Sequence, residues 1–267
     1  VCRPVRYAAI VTYRDQDREH VDTVAELCRK AGIEVHVGVP TDTKPDIVIV
    51  LGGDGSVLQY IHDLNFRGLQ DYLDVPVLHI GTGLVNFFSD ITLSEVRADI
   101  FVKLASGDYM LDERVMLEVN VGEQKIPVLN EVLIRYVNPG RITNFIVEEE
   151  QGDVILSGRM DGIVISTPTG STAYILALGG PVIDYRIDNV KVIIPVAPFS
   201  PALTPIVHPL EIEITVHSEG SSNVVCDGMM YGTTQRVTVR KYRTKFKFVR
   251  TRPYSFYNRL RKRLFTL

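Results

Sequence analysis

The stretch Ile47 to Leu51 is apolar without a break, and Gly52, Gly53, Asp54 and Gly55 follow it directly. Such a run suits a strand covered on both faces, which is the habit of parallel sheets. Parallel neighbours need crossover connections, and the next residues supply one, with Val57, Leu58, Ile61 and Leu64 at helical spacing. A strand, a glycine loop and a helix in that order place this part of the chain in the α/β class. The flanks agree. Val5 to Val11 reads as a strand, Val21, Val24, Leu27, Cys28 and Ala31 as one face of a helix stopped by Gly32, and Ile33, Val35, Val37 and Val39 as a second strand. Val75 to Ile80 repeats the buried run and ends in Gly81, Thr82 and Gly83, and a helix is expected from about Ser94 to Ala105.

Beyond Asp108 the pattern changes to strands and turns. Met116 to Val121, Val128 to Val137 and Asn144 to Glu149 read as strands, with Gln151, Gly152 and Asp153 turning into Val154 to Leu156. A single helical segment is expected, from about Thr172 to Leu178, closed by Gly179, Gly180 and Pro181. Residues 1–106 are therefore expected to form an α/β domain with a parallel sheet flanked by helices, and 107–245 a mainly β domain.

Composition bounds the rest. A chain of 267 residues with 45% hydrophobic and 23% charged side chains is an ordinary globular protein of one or two domains, not a disordered or collagenous one. No stretch reaches the roughly 18 apolar residues of a membrane span, and Tyr7 to Tyr13 is too short for a signal core and lacks a cleavage site. With three scattered cysteines and no CxxC pair, reduced thiols and a cytoplasmic location are expected. A net charge of −3 argues against a general nucleic-acid binder, but the charge is uneven. Twelve Lys or Arg and no Asp or Glu lie from Arg236 to the end. Val237, Val239, Phe246 and Phe248 alternate there as in strands with one solvated face, and Phe256, Leu260 and Leu264 mark a short amphipathic helix.

Three groups of residues bear on chemistry. Ligands bind beyond the carboxyl ends of strands in open α/β sheets, and glycines there let backbone amides approach a phosphate closely. Asp54 among them is informative, because a carboxylate beside a phosphate is repulsive unless it holds a cation or takes a proton; a plain turn with Asp54 as helix cap is the alternative. The second group is Thr167, Pro168, Thr169, Gly170, Ser171, Thr172, Ala173 and Tyr174, entered from the apolar Ile163 to Ile165. Its hydroxyls and amides could rim a polar ligand, and Tyr174 offers a flat surface to a base; a capped helix explains one of those hydroxyls. The third comprises polar pairs set in apolar runs, Asn130 with Glu131 and Asp161 with Gly162, which need partners if buried. The P-loop pattern GxxxxGK[ST], the third glycine of a dinucleotide fingerprint after Gly81 and Gly83, metal-binding spacing among the six histidines, and a GxSxG elbow are all missing from the sequence.

Taken together, LGGDG at Leu51 to Gly55, NEV at Asn130 to Val132, RMDG at Arg159 to Gly162 and STPTGSTAY at Ser166 to Tyr174 resemble the NAD kinase family, in the family's order and over residues 46–230. The GGDG loop alone is shared with lipid kinases and phosphofructokinases; the long Thr, Gly, Ser, Tyr motif is more specific. The resemblance implies transfer of a phosphoryl group from ATP or polyphosphate, with Mg²⁺ or another divalent cation, to the 2′-hydroxyl of the adenosine ribose of NAD. It implies that Asp54 is the base or orienter of that hydroxyl and that Gly52, Gly53 and Gly55 line the donor site, Gly55 also meeting NAD. Asn130 and Glu131 match the pair that holds the adenosine half, and Arg159, Asp161, Thr172, Ala173, Tyr174 and Asp227 match further NAD contacts. No protein side chain is assigned as a metal ligand. The family also implies that residues 246–267 return to the first domain, and that the protein is a homodimer or homotetramer without nucleic-acid or membrane partners.

The chain departs from the pattern in three places. Met229 stands where the family commonly has glutamine, Thr204 where an arginine is frequent, and the loop from Gly81 through Leu84 and Val85 to Phe87 is shorter than the usual one. No role is carried over to those positions. A lipid or sugar kinase using the same glycine loop, and a sensor that binds NAD(P) without turnover, are the alternative readings.

Overall fold

The structure, a computed structural model, describes residues 2–83 and 86–265. It consists of two compact units, one made of the residues up to Glu113 together with those from Phe246 onward, the other of Arg114–Lys245.

The first unit alternates strands and helices: β1 (Tyr7–Thr12), α1 (Val21–Lys30), β2 (Glu34–Val37), β3 (Ile47–Gly52), α2 (Asp54–Phe66), β4 (Val77–Gly81), β5 (Ile91–Thr92), α3 (Ala98–Ser106) and β6 (Met110–Arg114). β1 pairs in parallel with β2 and β3, β3 with β4, and β4 with β5. Every residue of β3 and β4 is buried, as the continuous apolar runs require. Helix α1 turns Val21, Val24, Ala25 and Cys28 toward Ile10, Ile49 and Leu51, and each fully buried Val, Ile or Leu stabilises the unit by roughly 1.5–3 kcal/mol.

Some boundaries differ from those read in the sequence. Val37 is 58% exposed because β2 ends the sheet. The helix expected from Ser94 is a short 3₁₀ turn, Leu93–Glu95, in which the Glu95 carboxylate accepts the Thr92 N–H, and α3 begins only at Ala98. β6 belongs to this unit's sheet, so the second unit starts at Arg114, later than the change of pattern at 107 suggests.

The second unit is built on a sheet of ten strands: β7 (Leu117–Val121), β8 (Gln124–Val128), β9 (Glu131–Tyr136), β10 (Thr143–Glu149), β11 (Val154–Met160), β12 (Gly162–Ser166), β13 (Val190–Val196), β14 (Ile206–Pro209), β15 (Ile214–Cys226) and β16 (Met229–Lys241). Their order is β14-β13-β12-β9-β15-β16-β7-β8, with β10 on β15 and β11 on β10, and the pairs are antiparallel. The expected helix at 172–178 is a 3₁₀ turn (Thr169–Thr172) and a single α-turn, α4 (Tyr174–Ala177). Val128 to Val137, read as one strand, is broken at Leu129 and Asn130 into β8 and β9.

The chain then returns to the first unit as β17 (Phe246–Arg250), parallel to β4 and lying between β4 and β6, followed by α5 (Phe256–Phe265). Val237, Val239, Phe246 and Phe248 are all buried, so the alternation in the basic tail is that of two strands with inward apolar faces. Arg250 is buried too, paired with Asp112 at 2.8 Å and Asp90 at 3.2 Å. No described helix is long and apolar enough to cross a membrane.

Candidate active site

At the carboxyl end of β3 the backbone turns sharply. Gly52 has φ +145°, and a Cβ there would lie 2.0 Å from the Ser56 hydroxyl, so only glycine fits. Gly53 precedes the helix, and Asp54 opens α2. Around Gly55 a side chain would meet nothing within 4 Å, so packing does not demand glycine there; it leaves space beside Asp54.

The Asp54 carboxylate is fixed by two backbone donors, the N–H of Phe87 to Oδ2 at 2.7 Å and the N–H of Phe88 to Oδ1 at 2.9 Å. It is not a simple cap of its own helix; it ties the glycine loop to the segment after β4. A quarter of the side chain remains exposed. Behind it, on β4, sits the fully buried His79, with Nδ1 3.9 Å from Asp54 Oδ1 and Nε2 2.9 Å from the Gly52 carbonyl. Burial pushes the imidazole below its usual range, the nearby Asp54 opposing.

The Phe87 and Phe88 amides are themselves held from the returning segment. The Tyr254 hydroxyl donates to the Phe87 carbonyl at 2.7 Å, the Arg250 guanidinium to the Phe88 carbonyl at 2.5 Å, and Arg259 to the Asn86 carbonyl at 3.1 Å. Phe256 packs edge-on against Phe87. Of the shortened loop, Leu84 and Val85 lie outside the described residues; Asn86 folds its side chain over Gly81 and donates to the Gly83 carbonyl.

In the second unit the polar pair at 130–131 is organised by Asp227. Its carboxylate, at a residue with φ +46°, accepts the N–H groups of Leu129 at 2.7 Å, Asn130 at 2.8 Å and Glu131 at 3.1 Å. This grip breaks the apolar run into β8 and β9. Burial pushes the Asp227 carboxyl up to about 6, against the three amide hydrogen bonds that favour the ionised form. Both oxygens are spent on backbone, so Asp227 holds Asn130 and Glu131 in place.

The 166–172 segment is stitched to the same point. Thr167 N–H and the Ser166 hydroxyl donate to the Asn130 carbonyl, and the Thr167 hydroxyl to that of Leu129. Gly170 is forced by this contact, since a Cβ would sit 2.4 Å from the Asn130 carbonyl oxygen. Ser171 bridges to Ile183 through both N–H and carbonyl. The hydroxyls of Ser166, Thr167 and Ser171 are therefore structural, and the Thr172 hydroxyl leans toward the Thr169 carbonyl at 3.4 Å, which leaves less of a hydroxyl rim than the sequence suggests. What remains unspent is informative: Asn130 Oδ1 and Thr169 Oγ1 are buried without a hydrogen-bond partner. Buried polar atoms in that state are served by a ligand or water.

Around this point the other expected residues are dispersed. Asp161 is paired with Arg135 at 2.9 Å, so its charge is already matched. Arg159 is exposed on β11, its guanidinium 5.8 Å from the Phe199 ring, and Ala173 is partly buried. Tyr174 presents 43% of its surface. Met229 packs against the unit's apolar core, and Thr204 is exposed. The sequence reading named Thr169 among its hydroxyls but gave no role to His79 or to the Phe87 and Phe88 amides; of these only His79, a polar residue inside an apolar strand, carries a signal in the sequence. No cluster of three or more His, Cys, Asp or Glu suited to a metal occurs among the described residues.

Residues 129–251 match the model of the ATP-NAD kinase C-terminal domain. The chain is 36% identical to the NAD kinase of Thermococcus sibiricus over 77% of its length and 73% of that protein's, and 31% identical to that of Methanosphaera stadtmanae over 96% and 92%. Its fold matches an NAD kinase from Archaeoglobus fulgidus in complex with ATP (TM-score 0.77, 22% identity, 96% of each chain). It also matches yeast NADH kinase complexed with NADH (TM-score 0.80, 18% identity, 99% and 89%).

Proposed function

The chain belongs to the NAD kinase family, and from that premise we propose how its residues divide the work of phosphorylating NAD. The terminal phosphoryl group of ATP passes to the 2′-hydroxyl of the adenosine ribose. The new O–P bond forms as the bond to the ADP oxygen breaks, and the hydroxyl proton goes to Asp54. Gly52, Gly53 and Gly55 receive the donor phosphates. Asn130 and Glu131, set by Asp227, hold the adenosine half of NAD, with Thr172, Ala173, Tyr174, Asp161 and Arg159 as further contacts.

One observation carries this reading: Asp54 is held by two backbone amides with one side open. Phosphoryl transfer needs alignment and charge neutralisation more than covalent help from the protein, and a carboxylate fixed in this way can orient a hydroxyl without rotating.

Mg²⁺ or another divalent cation would neutralise part of the donor's charge. Among the described residues no group of three or more His, Cys, Asp or Glu is placed to hold it, and no protein side chain is assigned as its ligand. The reading carries with it a cytoplasmic homodimer or homotetramer, in keeping with three free cysteines.

The test is incubation of the purified protein with NAD, Mg²⁺ and either ATP or polyphosphate, with NADP read by a strictly NADP-dependent dehydrogenase. NADP from at least one donor is expected. Its absence with both, from folded protein that binds NAD, would replace catalysis by sensing and point to Met229.

A further inference from the structure

Two buried cationic side chains in this protein are well served. The Lys191 ammonium donates to the carbonyls of Pro209, Leu210 and Ile212, and Arg250 faces two carboxylates. His79 is different. A carbonyl oxygen only accepts, so the contact with Gly52 fixes the hydrogen on Nε2 and leaves Nδ1 a bare acceptor. That atom is buried, has no hydrogen-bond partner, and faces the Asp54 carboxylate, a second acceptor, 3.9 Å away. Two acceptors opposed across a buried nitrogen are unfavourable, and the arrangement relaxes when a proton arrives between them.

We infer that His79 is a positioning residue for phosphoryl transfer: Nδ1 accepts a hydrogen bond from the Asp54 carboxyl once that carboxyl has taken the proton released by the attacking hydroxyl. This inference rests on the reading of Asp54 as base. The proton leaves the 2′-oxygen as that oxygen bonds to phosphorus, lands on Asp54 Oδ1, and forms a hydrogen bond to His79 Nδ1 once the pair closes by about 1 Å. The proton is released to solvent after the products leave, which balances NAD and ATP against NADP, ADP and one proton. Asp54 keeps its amide bonds throughout, since a protonated oxygen retains a lone pair for Phe88 N–H.

The surroundings tune this pair. Three charged groups act on His79: Asp54 from α2, Asp90 from the segment before β5, and Arg250 from β17. Both carboxylates favour a proton on the imidazole; Arg250 and burial oppose it. The result is an acceptor that stays neutral at rest and is useful only when a proton has been delivered. What sets His79 apart is direction: its unbonded nitrogen faces Asp54.

The experiment is His79→Gln, assayed for kcat and both KM values across pH with ATP and NAD. Gln can still donate to the Gly52 carbonyl but offers no basic nitrogen to Asp54. The expected result is a kcat at least about tenfold lower, KM values within about threefold, and an acid limb of the kcat profile moved down by at least about one pH unit, because the pair no longer binds its proton jointly. An unmoved acid limb with near-normal kcat would overturn the inference. Should the variant fold poorly, nitrogen NMR of the parent protein decides: at neutral pH His79 should carry its proton on Nε2, and a protonated Nδ1 refutes the idea. If Asp54→Asn keeps full turnover, the base reading and this one fall together; if Asp54→Asn is inactive and the His79→Gln limb stays put, only the role of His79 falls.

Discussion

Asp54→Asn is the substitution of choice for testing a base, and here it does more than remove one. Both Asp54 oxygens accept a backbone N–H, at 2.7 Å from Phe87 and 2.9 Å from Phe88. A carboxamide has one oxygen, so its NH₂ must face one of those donors. Leaving a part-buried N–H opposite another donor costs about 1–3 kcal/mol. In a chain of this size each kcal/mol lowers the melting temperature by about 2–4 °C, so a fall of roughly 2–12 °C is expected. Loss of the base itself lowers turnover by at least about 10²-fold, or about 2.7 kcal/mol of barrier. Calorimetry reads the first quantity, and the coupled NADP assay, run to separate kcat from KM, reads the second. Turnover within about tenfold of the parent would refute Asp54 as base, and an unchanged melting temperature would refute the two-amide clamp.

Three further outcomes follow from the geometry. Gly170→Ala pushes a methyl to within 2.4 Å of the Asn130 carbonyl oxygen, so it should cost about 1–3 kcal/mol and raise KM for NAD; an unchanged KM would detach Asn130 from NAD binding. The Asp227 carboxyl, pushed up to about 6 from 3.8, keeps in the folded state a proton that the unfolded chain has already released. Its contribution therefore favours folding below that window and is lost as pH rises through it, by about 3 kcal/mol in urea titrations, and Asp227→Asn should flatten that slope; a parent stability that rises there would show the three amides winning over burial. Tyr254→Phe removes the 2.7 Å hydrogen bond to the Phe87 carbonyl and keeps the ring over Arg250, so kcat should fall by about fivefold, the equivalent of about 1 kcal/mol, with KM for NAD unchanged; an effect on KM alone would contradict support through Asp54.

The part of the fold most legible in the sequence is the part governed by local pattern. Ile47 to Leu51 declares a strand covered on both faces, and the glycines after it declare the turn, because both depend on residues within one element. The break at Leu129 and Asn130 was hidden, since the apolar pattern continues across it and the cause is the Asp227 carboxylate far along the chain. The same distance hid the donors to Asp54: Phe87 and Phe88 look like core residues, which their side chains are, while their amides serve the site. The Thr and Ser run misled in the other direction. Its hydroxyls read as ligand donors, yet three of them are consumed in joining their own loop to the Leu129 and Asn130 carbonyls and to Ile183, and only the geometry tells a free hydroxyl at Thr169 from a used one at Thr167.

The return of β17 to a place between β4 and β6 also governs the order in which the enzyme can come to life. During synthesis the glycine loop and Asp54 emerge early, but the side chains that steady the Asn86, Phe87 and Phe88 carbonyls, Arg259, Tyr254 and Arg250, emerge only after the whole of the second unit. Domains fold as units and earlier segments fold first, so the β unit is complete while the first is still missing an interior strand. A nascent chain thus carries the residues proposed for NAD without the strand that braces Asp54, and on that reading turnover waits for β17 to dock.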